Sequence, residues 1–141
     1  MTVRDWPDHP DAGDIVWCHF PDGVRPRAKP RPVLVVSVFG KQAPFAVRVA
    51  YGTSKRVREL FGGEFSILRL HHPAAFALAN LSHDTKFDLR QLVDLPYTTE
   101  WFSVPPPAPH GQNPKLGTLH PSLMRAAAAA HQAAIAQRRP K

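Results

Sequence analysis

Residues 31–39 read Arg-Pro-Val-Leu-Val-Val-Ser-Val-Phe and contain the clearest strand in the chain. After the Arg-Pro pair the run is almost continuously β-branched or aromatic, which is typical of a strand buried on both faces. A turn signal follows at Gly40, and residues 45–51 alternate well enough to form the partner strand. This pair predicts a β-sheet at the centre of the fold.

Shorter apolar segments on either side predict the other elements. Residues 14–20 precede the central run as a strand, while residues 64–69 follow it as another. Residues 85–95 are interpreted as a strand followed by a bend, and residues 97–104 as a candidate last strand. The Ala-rich stretch at 73–81 favours a short helical turn between them.

Prolines divide the second half of the chain. Residues 105–109 read Pro-Pro-Pro-Ala-Pro and predict an extended segment. Residues 122–138 lack Pro and Gly and include five consecutive Ala, which favour a helix. We therefore predict a mainly β protein with a peripheral C-terminal α-helix. The predicted organisation is a single domain, 1–141, with a β-sheet core at 13–104, a Pro-rich connector at 105–119 and the helix at 120–139.

The composition is basic, with a formal net charge of +7, eight His and an isoelectric point of about 10.2. This balance favours a nucleic acid or an anionic membrane as partner, although many basic proteins gain only solubility from it. No apolar run approaches the ~20 residues that span a bilayer, and the N-terminus is unlike a secretory signal, so we expect no membrane partner. The single cysteine, Cys18, excludes an internal disulfide and favours a reducing cytoplasm.

A basic loop precedes the central strand. Arg25, Arg27 and Lys29 alternate with Pro and small residues, and we expect Trp17 and Tyr51 to lie beside them. Positive charges next to stacking platforms are typical of proteins that bind single-stranded nucleic acid. The alternative is a solvated loop that only keeps the protein soluble.

Four segments, taken in order, carry a family resemblance: Gly13-Asp-Ile-Val-Trp-Cys-His-Phe20, Arg31-Pro-Val-Leu-Val-Val-Ser37, Val49-Ala-Tyr-Gly-Thr-Ser-Lys55 and Lys86-Phe-Asp88. Together they resemble the MazF/PemK toxin family. The resemblance implies a small SH3-like β-barrel of the MazF/PemK/CcdB type that forms a homodimer and binds single-stranded RNA. It also implies a metal-independent endoribonuclease, the toxin of a type II toxin–antitoxin pair whose partner is an acidic antitoxin.

The same resemblance implies roles for individual residues. Arg31 matches the family's catalytic Arg, Thr53 matches the Thr that steadies the phosphate, and Asp88 matches an acid that acts as a base. We also predict RNA contacts from polar and basic side chains near these positions. They are Arg25, Arg27, Lys29, Ser54, Lys55 and Lys86.

These residue types suit cleavage of RNA without a metal. Such cleavage needs an activated 2′-hydroxyl, stabilisation of a doubly charged phosphorane and a proton for the 5′-oxygen. A guanidinium binds phosphate bidentately and stays charged near neutral pH. A structural interpretation competes with each role, because Arg31 and Thr53 adjoin predicted turns and Asp88 falls at a predicted strand end.

The remaining candidates for chemistry are His and Cys. Cys18 and His19 are adjacent, so a strand points their side chains to opposite faces and we expect no nucleophilic pair. His19 is interpreted as a core or interface residue rather than as a general acid. His71 and His72 have no Cys or carboxylate at ligand spacing, so we expect no metal and no cofactor.

Two further functions fit the same residues. A non-catalytic module of this fold would bind a nucleic acid or a protein, as do toxins of this fold that poison a topoisomerase, by fold analogy. A structural domain could instead use its Pro-rich segment to recruit a partner. An adjacent short acidic reading frame in the genome would favour the toxin.

Overall fold

The structure is a computed structural model that describes residues 2–24 and 27–138. Its elements are, in chain order, β1 (Asp14–Cys18), β2 (Arg31–Phe39), β3 (Ala46–Thr53), β4 (Glu64–Ile67), α1 (Pro73–Leu78), β5 (Thr85–Pro96), β6 (Lys115–Thr118), a 3₁₀ turn (Pro121–Leu123) and α2 (Met124–Arg138). The strands of the described residues form one antiparallel sheet in the order β4-β5-β3-β2-β1-β6. β2 and β3 lie at its centre, as the sequence predicts.

The sheet curls and packs a hydrophobic core on each face, and the predicted mainly β, small-barrel fold with a C-terminal helix is confirmed. Alternation along β2 directs Leu34 to one core, where it packs with Phe87, and directs Val33 and Val35 to the other. Each of these aliphatic side chains is buried and contributes roughly 1.5–3 kcal/mol to folding. The run that decides the fold is therefore apolar on both faces because both faces are covered.

β5 bends where its pairing with β3 shifts. Leu92 pairs with Ala50, whereas the next residue of β3, Tyr51, pairs with Asp88. The intervening residues of β5 form a bulge, which bends a strand and increases its twist. The bend predicted within residues 85–95 therefore lies inside one continuous strand.

The last strand lies later in the chain than the sequence indicates. Residues 97–104 form a turn with two isolated bridges, Asp5 to Thr98 and Cys18 to Phe102, instead of a strand. β6 forms within the predicted connector and pairs with β1 at the edge of the sheet. Its sequence, Lys-Leu-Gly-Thr, has no β-branched run, so this strand depends on its pairing and not on intrinsic propensity.

The start of the Pro-rich segment is also a turn, where the sequence predicts an extended connector. The Ala108 N–H donates to the Pro105 carbonyl at 2.9 Å, and Ala108 has a positive φ of 41°. Pro106 takes the second position of this turn, which suits proline because its ring fixes φ. The segment therefore folds back towards the sheet.

The C-terminal helix packs on the edge of the sheet formed by β4 and β5. The His120 ring accepts a hydrogen bond from the Ser122 N–H at 3.0 Å and caps the 3₁₀ turn that leads into α2. Ala130 and Ala134 are buried, and their small side chains allow the helix to approach the strands closely. Residue 139, the predicted end of the helix, lies outside the described residues. No helix in 2–24 and 27–138 is long and apolar enough to cross a membrane.

Candidate active site

A cavity of about 460 Å³ opens where β2 begins and β3 ends. We call it the Arg31 cavity. Its lining residues come from six separate parts of the chain: Trp17, residues 30–32, 52–55 and 80–83 with Thr85, Pro106 with Pro107, and Leu116. Two cations, Arg31 and Lys55, belong to this lining, and none of the described lining residues is acidic. The cavity is therefore electropositive and suited to an anionic ligand.

The antiparallel pairing of β2 and β3 brings the two ends together. Gly52 makes the close approach possible, because a Cβ at this position would lie 2.2 Å from the Pro32 carbonyl oxygen and 3.0 Å from the Phe87 ring. Only a residue without a side chain fits between these backbones. Arg31 on β2 and Thr53 on β3 consequently line the same cavity.

Arg31 is held in place by Tyr51, and no carboxylate in the part of the chain that the structure describes pairs with it. Its Nη1 donates to the Tyr51 hydroxyl at 2.7 Å, and its guanidinium carbon lies 5.0 Å from the centre of the Tyr51 ring. The Nε of Arg31 is buried and has no hydrogen-bond partner among the described residues. A buried donor without a partner costs about 1–3 kcal/mol, which proteins tolerate mainly where a function requires it.

Thr53 presents its hydroxyl at the same cavity. The Thr53 oxygen accepts a hydrogen bond from the Lys55 N–H at 3.1 Å, which bends the chain as it leaves β3. Because the oxygen is the acceptor in that bond, its hydrogen can still be donated to a ligand. Ser54 and Lys55 are exposed and also line the cavity. Arg31, Thr53, Ser54 and Lys55, which we call the open cluster, are thus brought together as predicted.

Asp88, the predicted base, lies outside the cavity lining and is buried within the sheet. It accepts three hydrogen bonds from Arg90 and one from Gln91, each 2.9 Å long. Burial raises the pKa of Asp88, but the hydrogen bonds from Arg90 and Gln91 outweigh this and hold the pKa below its usual value. A carboxylate with these partners is a weak base, so a catalytic role for Asp88 stays a sequence prediction that the geometry does not favour.

Lys86 also lies away from the cavity. Its Nζ is 3.0 Å from Glu64 Oε2 and donates to the Glu59 carbonyl at 2.8 Å, and its side chain is only 8% exposed. The Phe61 ring lies over it, with its centre 5.9 Å from Nζ. Lys86 therefore stabilises the loop between β3 and β4 and is not available to bind a phosphate. Its buried partners depend on the pairing of β4 with β5, which the sequence does not reveal.

Glu64 links Lys86 to Arg90, the partner of Asp88 on β5. Its Oε2 lies 3.6 Å from Arg90 Nη2, and its Oε1 accepts from the Phe61 N–H at 2.8 Å. We call Glu64, Lys86, Asp88 and Arg90 the closed cluster. It contains two anions and two cations, and each of them has a charged partner.

The predicted basic loop is largely tied to the turn at residues 97–104. The Arg27 guanidinium donates to the carbonyls of Thr99 and Glu100 at 3.0 and 3.2 Å. Lys29 is exposed and directly precedes Pro30, which lines the cavity. Arg25 lies outside the described residues. Of the three predicted phosphate contacts in this loop, only Lys29 is described with a free side chain near the cavity.

His19 joins the same loop to the turn. Its Nδ1 donates to the Ala28 carbonyl at 2.7 Å, so in the neutral ring Nε2 is the acceptor and receives the Ser103 hydroxyl. Burial lowers the pKa of His19, with a smaller contribution from nearby Arg27. Cys18 is fully buried, and burial raises the pKa of its thiol. His19 is a buried structural histidine and Cys18 an inert core residue.

The other histidine pair has a local structural role. The His72 Nδ1 accepts from the Leu68 N–H at 3.0 Å, just before α1, and the His71 ring lies beside it. Within residues 2–24 and 27–138, no three His, Cys, Asp or Glu side chains form a group that could hold a metal ion.

Sequence reasoning misses half of the cavity wall. Asn80, Ser82 and His83 come from the connection between α1 and β5, and Pro106 and Pro107 from the Pro-rich turn. The only local signal at these positions is Asn80, which has a φ of 55° two residues after a helix. Asn is common in this left-handed conformation at helix ends, so it indicates a helix stop and says nothing about a site.

Two solved structures resemble the complete fold. One is an endoribonuclease from Mycobacterial species, which matches with a TM-score of 0.57 and 16% identity over 96% of this chain and 100% of that chain. The other is an endoribonuclease in complex with its cognate antitoxin, also from Mycobacterial species, with a TM-score of 0.55 and 15% identity over 94% and 100% of the two chains. No protein-family model and no curated protein matches the sequence. At these identities the likeness establishes a shared fold along nearly the whole chain.

Proposed function

We propose that this protein is a metal-independent endoribonuclease that cuts single-stranded RNA and acts as the toxin of a toxin–antitoxin system. The observation that carries the proposal is the open cluster: Arg31 has no carboxylate partner among the described residues and shares a cavity free of acidic lining residues with the Thr53 hydroxyl. The fold that the chain shares with two mycobacterial endoribonucleases supports the same class of activity.

The open cluster suits stabilisation of a pentacoordinate phosphorus. In the proposed reaction the RNA's 2′-oxygen forms a bond to phosphorus while the bond to the 5′-oxygen breaks. The 2′-hydroxyl loses its proton to solvent, and the departing 5′-oxygen takes up a proton from solvent. Arg31 and the Thr53 hydroxyl donate to the non-bridging oxygens, whose negative charge grows in the transition state. Preorganised donors of this kind are usually the largest single contribution to such catalysis.

The cavity also suits the substrate's charge. Lys55 and Ser54 extend the donors of the open cluster along the loop that follows β3, where the next phosphate of a single strand would reach them. The formal net charge of +7 supports attraction of a polyanion over long range.

The proposed partners follow from the same comparison and from charge. An acidic antitoxin would complement the basic surface, and one of the two similar structures is an endoribonuclease with its cognate antitoxin. A homodimer remains part of the proposal on the basis of the sequence resemblance, and a cytoplasmic location on the basis of the single cysteine.

The test is cleavage of a long single-stranded RNA by the purified protein in EDTA, with the cut ends mapped. We expect 2′,3′-cyclic phosphate and 5′-hydroxyl ends, because the attacking oxygen belongs to the RNA. Single-stranded DNA of the same sequence is the control and should survive, as should RNA with a 2′-deoxy nucleotide immediately 5′ of the cut. Activity that disappears in EDTA and returns with Mg²⁺ would contradict the mechanism. RNA binding without cutting would leave the non-catalytic module as the function.

A further inference from the structure

The Pro-rich segment is fixed to the backbone of a single residue of β1, Trp17. The Ser103 N–H donates to the Trp17 carbonyl at 3.1 Å, and the Trp17 N–H donates to the Pro114 carbonyl at 2.8 Å. The backbone N–H and C=O of Trp17 thus bind the two ends of the segment 103–114. Residues 104–113 form a loop whose base is closed by this tryptophan.

Both ends of the loop are firmly seated. Pro105 and Pro114 rank among the fully buried side chains of the described residues, whereas Pro106 and Pro107 are exposed at the turn between them. Proline has a fixed φ and little side-chain entropy to lose, so such a wall is rigid before any ligand arrives. Pro106 and Pro107 line the Arg31 cavity together with Trp17.

Another part of the cavity wall carries the polar side chains of Asn80, Ser82 and His83. Asn80 is exposed, and none of the described residues makes a hydrogen bond with its side-chain amide. The neighbouring Ser82 hydroxyl and His83 Nδ1 are 2.9 Å apart, which leaves the Nε2 of His83 for a ligand. An amide presents both a donor and an acceptor, as the edge of a nucleobase does.

We propose that this part of the Arg31 cavity is a nucleobase pocket, which takes one unstacked base of the strand whose phosphate Arg31 holds. Trp17 with Pro106 and Pro107 forms its apolar face, and Asn80 with Ser82 and His83 forms its hydrogen-bonding edge. This inference rests on the proposed function for the identity of its ligand. It assigns base preference, and not the cleavage chemistry, to the Pro-rich loop and the α1–β5 connection.

The dimensions and chemistry agree with this assignment. A cavity of about 460 Å³ falls within the ~300–1,000 Å³ of small-molecule sites, which are mostly apolar with a few placed polar groups. Single-stranded RNA is read by stacking of splayed bases on aromatic rings and by hydrogen bonds to their edges. Trp17 supplies the ring, and the free Asn80 amide supplies the edge.

The test measures binding of single-stranded DNA hexamers of dA, dC, dG or dT, in lithium chloride to keep the dG strand unpaired. DNA lacks the attacking 2′-oxygen, so the assay does not require RNA cleavage. We expect the wild type to prefer one base by about tenfold or more, and Asn80→Gly to abolish most of that preference. Glycine suits the positive φ of Asn80, so this variant removes the amide without straining the backbone. Gln132→Ala, which removes an exposed amide from α2, is the matched control and should keep the preference.

The outcomes test the nucleobase pocket independently of RNA cleavage. Base preference that Asn80→Gly loses and Gln132→Ala keeps supports the pocket, even for a wild-type protein that cuts no RNA. Equal binding of all four hexamers by the wild type overturns the pocket, and so does a preference that survives in both Asn80→Gly and His83→Ala. Either of these results leaves RNA cleavage by Arg31 untouched.

Discussion

The open and closed clusters lie on neighbouring strands and each contains one Arg and one Lys, yet these cations differ in pairing. In the closed cluster two carboxylates and two cations satisfy one another, and the side chains of Glu64, Lys86 and Asp88 are at most 8% exposed. In the open cluster Arg31 and Lys55 face a cavity that no acidic residue lines, within the part of the chain that the structure describes. A charge that already has its partner stabilises the fold, whereas a charge held in place without one is available to a ligand.

The largest effect on stability should come from removing one member of the closed cluster, where the charges are paired. Asp88→Ala removes the acceptor of hydrogen bonds from Arg90 and Gln91. Breaking a buried ion pair from one side costs about 3–5 kcal/mol, and we expect the lower end because Arg90 is one-third exposed and keeps Glu64 as a charged partner. Chemical denaturation should show this as a large loss in the free energy of unfolding. Asp94→Ala, which breaks the exposed pair with Arg48, is the control and should cost under about 1 kcal/mol. An Asp88→Ala protein with normal stability but no cleavage would instead make Asp88 the catalytic base.

A smaller loss in the free energy of unfolding is expected from a substitution at Gly52, where β2 and β3 approach each other closely. Gly52→Ala places a Cβ 2.2 Å from the Pro32 carbonyl oxygen, so β2 and β3 must separate, at a cost of about 1–3 kcal/mol. Because Arg31 and Thr53 sit at these strand ends, cleavage should fall with stability. Gly62→Ala is the matched control, since its Cβ would come close to the flexible end of Gln137 and otherwise make an ordinary contact with the Ala133 Cβ at 3.9 Å. Normal stability and cleavage in Gly52→Ala would refute the close approach.

The sequence predicts the position of the open cluster but not the pairing within the closed cluster. The β-branched run at 33–39 and its partner predict the centre of the sheet, and antiparallel order then brings Arg31 close to Thr53. The pairing of β4 with β5 is a matter of register, so the sequence cannot show that Lys86 meets Glu64. β6 is not predicted because it contains Gly117, and glycine is unfavourable in strands. The glycine is required for packing, since a Cβ there would lie 2.4 Å from the Ala79 backbone. The Pro-rich turn joins the site through hydrogen bonds to the Trp17 backbone, which no local sequence pattern reveals.

The smallest effect should come from His19, which fixes the loop that leads to the open cluster. Burial holds the folded pKa of His19 below its ordinary 6.5, so the unfolded chain binds the extra proton first as the pH falls. Its stabilising contribution is therefore complete above about pH 6.5 and declines as the pH falls below this value towards the lower folded pKa. Unfolding free energies measured from pH 8 to pH 5 should fall more steeply for the wild type than for His19→Gln. Equal slopes for the two proteins would contradict a buried, neutral His19.

The most direct test of the account is the rate at which Arg31→Ala cuts single-stranded RNA in EDTA, measured beside its free energy of unfolding. Since Arg31 has no charged partner to lose among the described residues, we expect the free energy of unfolding to change by under about 1 kcal/mol. Loss of a donor to the transition state should slow cleavage by about a hundredfold or more. Arg48→Ala removes an exposed Arg outside the cavity and should cut RNA at the wild-type rate. Wild-type cleavage by Arg31→Ala would contradict the claim that the unpaired Arg31 carries the function.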